Sequence, residues 1–433
     1  GIYERMRSNF IQGYVNVFYW GEARVGDYMW GPSLESRVQD NNMITVRTST
    51  MNSSTESTQW SKLYTTIDQA NAVLKFAIGQ AAFARAYCYF WAARLWGDVP
   101  LNLVPIESVN QPETYPLRAP KADVYAQIGN DIETAVANSA YLGNDKYFAT
   151  ADAVNMLKAE YGLWMYTTQN GGDSFLNLAS DALSAIGISS GKLLPKYSDV
   201  FSRDNKRNTE VVFALMNNQQ EKLTGGYYSY FYHPSNLIAS QYRNNPVPVS
   251  STQWWSYSRE FIDVLNKSKA EHNDSRVECN LGEGEYGASG QTLTWPNKFL
   301  GDMSKQPVVE DCDLLYYRYA YAVMMDAELK YYKKDYTGAL SSLNIIAKRA
   351  YGVEDFYKIA TRDAILEALV NEYFLEFPAE GVIWWPLIRL DKIWDYNPDL
   401  LAKKQKNPNI LLWPISKSAR NKNYKLTQTE GWD

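Results

Sequence analysis

Hydrophobic residues recur at three- and four-residue steps along most of the chain, the spacing that places side chains on one face of a helix. The clearest case is Ala81–Leu101, AAFARAYCYFWAARLWGDVPL. Phe83, Ala86, Tyr87, Phe90 and Ala93 share one face, and Arg85, Arg94 and small alanines fill the rest. Gly97 supplies a left-handed stop and Pro100 forbids continuation. The same periodicity predicts helices over 1–20, 59–76, 121–138, 149–168, 175–186, 259–269, 314–333, 334–351 and 362–377. Glu210–Met216 reads as a short buried strand. The spacing of Tyr336, Ala339, Leu340 and Leu343 is that of a tetratricopeptide-type repeat helix.

Between 217 and 311 the pattern changes. Gly, Ser, Asn and Pro punctuate the segment, and aromatics cluster without helical period: GGYYSYFYHP, TQWWSYSREF and GEGEYGASGQTLTWPNKFLG. Loops of this length in a folded chain are usually functional. Two further stretches read as loops, GEARVGDYMWGP (21–32) and the polar run 41–57. The expected architecture is mainly α, built of tetratricopeptide-like antiparallel helix pairs with minor β. It forms one domain over 1–433, with a helical scaffold at about 1–216 and 312–390. A loop-rich ligand lobe spans about 217–311, and an extended tail runs from 391 to 433.

Composition narrows the chemistry. Aromatics make up 14% of 433 residues, with 33 Tyr and 14 Trp against 15 Phe, so the excess lies in rings that carry a polar handle. Net charge is −5 with no basic run, which argues against a nucleic-acid footprint. No apolar run approaches the roughly 20 residues of a membrane span. Cys88, Cys279 and Cys312 are too scattered for a disulfide framework or metal spacing. With only His233 and His272, and no HExxH, CxxC, GxSxG, Walker or GxGxxG pattern, no cofactor, metal site or catalytic centre is expected. Glu283/Glu285 and Asp311/Asp313 are the nearest approach to a glycosidase carboxylate pair, and both read as ordinary loop acids.

Carbohydrate recognition needs flat apolar faces for sugar C–H groups, and planar polar side chains for hydroxyls. Three stretches qualify: Asp27, Tyr28 and Trp30; Trp254, Trp255 and Tyr257; and Tyr286 with Trp295. Tyr227, Tyr228 and Tyr230 are a fourth. Adjacent Trp254 and Trp255 point differently, so one is expected buried and the other available. Trp60, Trp91, Trp96, Trp164, Trp384 and Trp385 fall on helical stripes and are expected in the core.

The wording of several helices resembles the SusD/RagB family. The Arg-Ala-Tyr helix ending in LWGDVPL is the strongest match. WSKLYTTIDQANAVL (60–74), LYYRYAYAVMMDAE (315–328), AILEALVNEYFLEFPAEGVIWWPL (364–387) and the closing LLWPISKSARNKNYKLTQTEGW follow in the family's order. The basic cluster usual in the Glu-rich helix is thinned to LVNEYFLEF. The resemblance implies a non-catalytic, cell-surface glycan-binding lipoprotein of the outer membrane. Such a protein passes poly- or oligosaccharide to a SusC-like TonB-dependent transporter over which it sits as a lid. The chain opens mid-helix at GIYERMRSNF, so any N-terminal lipid anchor is implied by the family alone. The alternative reading is a peptide-binding surface protein on the same fold.

Overall fold

A computed structural model describes the chain except for residues 11–15, 35–38, 227, 243–246, 251, 287–289, 306 and 433, and the side chains of residues 190, 242 and 286. Helices dominate and strands are short, in agreement with a mainly α architecture. The chain packs as two units. One comprises Gly1–Asn16, Ser49–Ile186 and Pro398–Asp433, and the other Val17–Thr48 and Gly187–Asn397.

In the first unit, the helix Ile78–Trp96 packs against Ser61–Val73 and Lys121–Ala137, and Ala151–Thr168 packs against Asp173–Ile186. Ile78–Trp96 begins three residues before its periodicity predicts. It is also buried on every face from Ala81 to Trp96 rather than amphipathic. Each of its two buried arginines meets a carboxylate. Arg85 forks onto Asp131 at 2.8 and 2.7 Å, and Arg94 Nη1 lies 2.9 Å from Glu160. Gly97 ends the helix at a positive φ of +70°, as its place in the pattern predicts, but with ψ −110° it is not the left-handed helical cap expected. The tail is not purely extended. Pro398–Lys404 and Lys417–Lys422 are helical, and Trp413 N–H donates to Leu95 O at 2.6 Å.

The second unit holds the helical hairpin Tyr319–Tyr332 and Tyr336–Tyr351, with Arg362–Glu376 packed on it. Leu314–Arg318, expected as helix, is a strand paired antiparallel with Val211–Leu215. Both strands are fully buried, which suits their Leu, Val and aromatic side chains better than a half-wet helix. In the loop-rich stretch, Leu281–Tyr286 and Gln291–Pro296 form a hairpin, and Arg259–His272 is helical from its Ser258 N-cap. All six tryptophans assigned to helical stripes are buried, as are the three cysteines.

A buried ionic network organises this unit. Arg318 reaches Glu380 (2.7 and 2.9 Å), Glu376 (2.7 Å) and Glu210 (3.0 Å). Arg349 also bonds Glu210 and Glu376. Arg276 joins Glu372, Glu376 and Asp274, while Lys298 lies 2.8 Å from Glu380. Burial pushes the Glu376 carboxyl up, but Arg349, Arg318 and Arg276 outweigh it and hold it at about 2.

Removing one partner strands charges that have no water to turn to. Arg318→Ala should therefore destabilise the second unit by about 3–5 kcal/mol in urea unfolding. The depressed Glu376 carboxyl contributes stability above its ordinary value of 4.5, and that contribution is lost as pH falls through about 2. Unfolding free energy should fall across this window, with a shallower slope in Glu376→Gln.

Candidate functional site

All four aromatic stretches singled out by composition contribute to one meeting point inside the second unit. Trp30–Gly31 pairs antiparallel with Ser256–Tyr257. The N–H groups of Trp254 and Trp255 both donate to Tyr230 O, at 2.8 and 3.1 Å. Gln253 Nε2 bridges Phe231 O and Thr294 O, both at 2.8 Å, tying in the hairpin that carries Trp295. Backbone pairing and one buried amide thus join segments far apart in sequence.

Most of the rings at this meeting point face inward. Trp30, Tyr228, Trp255, Tyr257 and Trp295 are buried, at 3% exposure or less, so none offers a face for an outside ligand. Trp30 stacks on Phe231 at 5.6 Å, Trp255 on Phe18 at 4.3 Å, and Tyr228 on Phe299 at 4.3 Å. Their function is to pin the loops together, which is what burial of so much ring area favours. Trp254 and Tyr230 remain half-exposed, and Trp255 is the buried member of its pair, as the alternation of adjacent side chains predicts. Tyr286 closes its strand, with its side chain outside the described set; Tyr227 lies outside the described residues. Tyr28 is half-buried away from Trp30, its ring against Phe374 (5.1 Å) and Tyr396 (4.7 Å). Burial raises its hydroxyl to about 12.

The polar side of the site comes from a segment that reads as irregular in the sequence. Residues Asn41–Arg47 are a helix, because the Asp40 carboxylate caps it by accepting from Met43 N–H at 2.7 Å. The same carboxylate accepts from Tyr19 OH at 2.9 Å and Trp255 Nε1 at 2.7 Å. Burial, with Asp40 alongside, drives the Tyr19 hydroxyl well above its ordinary range. At the other end of the helix, Arg47 pairs with Asp27, whose side chain is 60% exposed, and donates to Gln39 at 3.2 Å. On the opposite loop, Glu310 accepts from Ser229 N–H at 3.0 Å, bracing the turn before Tyr230. Burial raises the Glu310 carboxyl to about 7. Asp40, Arg47, Gln39 and Glu310 escaped the composition argument. The signal for the first was present: an Asp three residues before Met43, which with Val46 falls at helical spacing.

The acid pairs have other engagements. Asp311 is forked by Arg203, Asp313 accepts from Asn217 N–H at 2.9 Å, and Glu285 from Gln241 at 2.6 Å. Among the described residues, no three His, Cys, Asp or Glu side chains are grouped to hold a metal ion. No helix among them is long and apolar enough to cross a membrane.

Comparison with known proteins supplies the family. The SusD family model matches residues 166–432, and a model described as starch-binding, associating with outer membrane, matches 25–150. The chain belongs to the SusD family. It is 24% identical over 443 residues to SusD-like protein P38 of Formosa agariphila, covering 92% of this chain and 84% of that protein. A SusD superfamily protein from Bacteroides fragilis has the same fold, with a TM-score of 0.81 at 22% identity, covering 100% of this chain and 97% of that one. Surface glycan-binding protein A from Bacteroides thetaiotaomicron superposes with a TM-score of 0.74 at 16% identity, covering 99% and 97%. The five helical and tail motifs of the SusD resemblance thus lie in a chain of that family and fold.

Asp40 is the group on which the loop packing can be tested. Asp40→Ala removes a cap and leaves Tyr19 OH and Trp255 Nε1 without their acceptor. It should cost about 1–3 kcal/mol, seen as a lower thermal midpoint. Asp40→Asn, which retains one acceptor oxygen, should cost less.

Proposed function

We propose that this SusD-family chain binds glycan without catalysis and delivers it, from the cell surface, to a SusC-like TonB-dependent transporter in the outer membrane. Anchoring is through an N-terminal lipid. The observation that carries the binding reading is the juxtaposition of Trp254 and Tyr230. They are half-exposed rings whose backbones are hydrogen-bonded at 2.8 Å, above an aromatic layer that fixes them. A rigid ring edge or face presented to solvent is the element that sugar C–H groups need, and it loses little entropy on binding. Asp27, Arg47 and Gln39, linked to one another on the adjoining segment, supply planar groups for hydroxyls. Support also comes from the starch-binding description of the matched family model and from the glycan-binding function in the name of a structural neighbour.

On this reading, Trp254, Tyr230 and Asp27 touch the ligand, while Trp30, Trp255, Tyr257, Tyr228 and Trp295 hold the loops from beneath. Trp254→Ala and Tyr230→Ala should each weaken binding of a glycan by roughly tenfold, equivalent to about 1.4 kcal/mol, with an unchanged melting temperature. Isothermal titration against a panel of neutral and acidic oligosaccharides reads this directly. Binding of oligopeptides with no glycan bound would replace the reading with peptide capture, and unaltered affinity in both variants would remove the site.

A further inference from the structure

The second unit has a separate cleft of about 1070 Å³, lying among the helices Arg259–His272 and Arg362–Glu376 and the segment 356–359. It contains neither Trp254 nor Tyr230. Tyr28, Tyr396 and the buried Phe374 form one wall, their ring centroids 4.7 to 5.1 Å apart. Tyr28 and Tyr396 are both half-exposed, so the wall is wettable and apolar at once. Facing it are groups that cannot turn away freely. Asn371 Nδ2 donates to Tyr357 OH at 3.1 Å, and Tyr357 OH donates to Glu372 at 2.6 Å, which is itself bonded to Arg276. The cleft's planar amide is therefore anchored in the buried ionic network.

The charges around the cleft decide the ligand class. Glu271, Asp363 and Glu367 line it, and so do Lys267, Lys358 and Lys392. Three carboxylates against three ammonium groups give no net field to select an anion or a cation. They do give many donors and acceptors at the rim. A neutral, polyhydroxylated ligand fits such a lining. The volume exceeds the upper part of the roughly 300–1,000 Å³ range of small-molecule pockets, which favours several linked rings over one.

We propose that this cleft is a second saccharide subsite, taking a stretch of neutral oligosaccharide against the Tyr28–Phe374–Tyr396 wall. It rests on the glycan-binding reading for the class of ligand, but on none of the residues that carry that reading. The two histidines give a local probe. His272 lines the cleft with its side chain 43% exposed, whereas His233 is buried and bonded to Thr294 O. With labelled histidine, a neutral oligosaccharide panel should shift the His272 ring signals in the native chain and in Trp254→Ala. The shift should vanish in Tyr396→Ala combined with Asn371→Ala, whose fold is checked by its melting temperature. Asn371→Ala alone, which leaves the aromatic wall intact, should weaken the response at least threefold.

Saccharides that bind by calorimetry, lose binding in Trp254→Ala and never move His272 would overturn the subsite while sparing the loop site. Saccharides that move His272 and bind equally well to Trp254→Ala would support the subsite and overturn the loop site. A panel that gives neither heat nor a His272 shift overturns both.

Discussion

The second unit depends on charges that water cannot reach. Glu210, Arg276, Lys298, Arg318, Arg349, Glu372, Glu376 and Glu380 are all buried or nearly so and satisfy one another. Taking any of these ions from water costs several kcal/mol, and the attraction offsets that cost only if the geometry is close to complete. That condition acts as a constraint on everything attached. Glu210 and Arg318 each lie at the start of an element, Arg349 near the end of a helix, and Arg276 and Lys298 in the loop-rich stretch. None can shift without leaving a charge exposed to an apolar neighbour. Arg318 also lies 4.3 Å over the Phe377 ring, so even its flat face is occupied. The network therefore makes a firm base out of segments that lack regular structure of their own.

Aromatic packing extends that base outward. A row of contacts runs from Tyr396 through Tyr28, Phe261, Tyr257, Trp30 and Phe18 to Trp255 and Tyr230. Its two ends reach the cleft wall and the half-exposed loop rings. Six of the eight rings in this row are Tyr or Trp, so part of the high Tyr and Trp content serves packing. Within the row, the Trp255 indole N–H reaches a carboxylate, Asp40, at 2.7 Å. The consequence for recognition is economy. A few rings meet solvent, and many more keep those few in place.

The helical body was legible because its signals are local. A 3.6-residue period, a Gly and a Pro suffice to outline Ile78–Trp96. What the period could not show was burial on every side, since that depends on Asp131 and Glu160 arriving to meet Arg85 and Arg94. The motifs that identified the family have the same character. Arg318, Glu372, Glu376 and Glu380 fall within two of them, so the motifs carry part of the buried network. The site was legible only as a neighbourhood. Composition pointed to loops that the fold brings together, but which ring of each loop faces out is set by pairings such as Trp30 with Tyr257. Those pairings have no trace in either segment alone. Leu314–Arg318 shows the limit most plainly. Its apolar run suits helix and strand equally, and the choice is made by Val211–Leu215, a hundred residues upstream.

The path of the chain through its two units has a cost in time. Residues 17–48 belong with 187–397, yet they are followed by the bulk of the other unit. Glu22 receives N–H bonds from Ala379, 357 residues later, and from Gly381, and Asp40 receives the Trp255 indole 215 residues later. At synthesis rates of roughly 5–20 residues per second, the segment waits tens of seconds for its partners. Burial raises the Glu22 carboxyl to about 8 once it is enclosed, but until then it is an ordinary charged side chain on an unpaired stretch. The second unit cannot be completed before Asn397 is made, and the first not before the segment from Pro398 onward has followed. A chain wired in this way leaves Glu22 and Asp40 without these partners until more than half of it has been made.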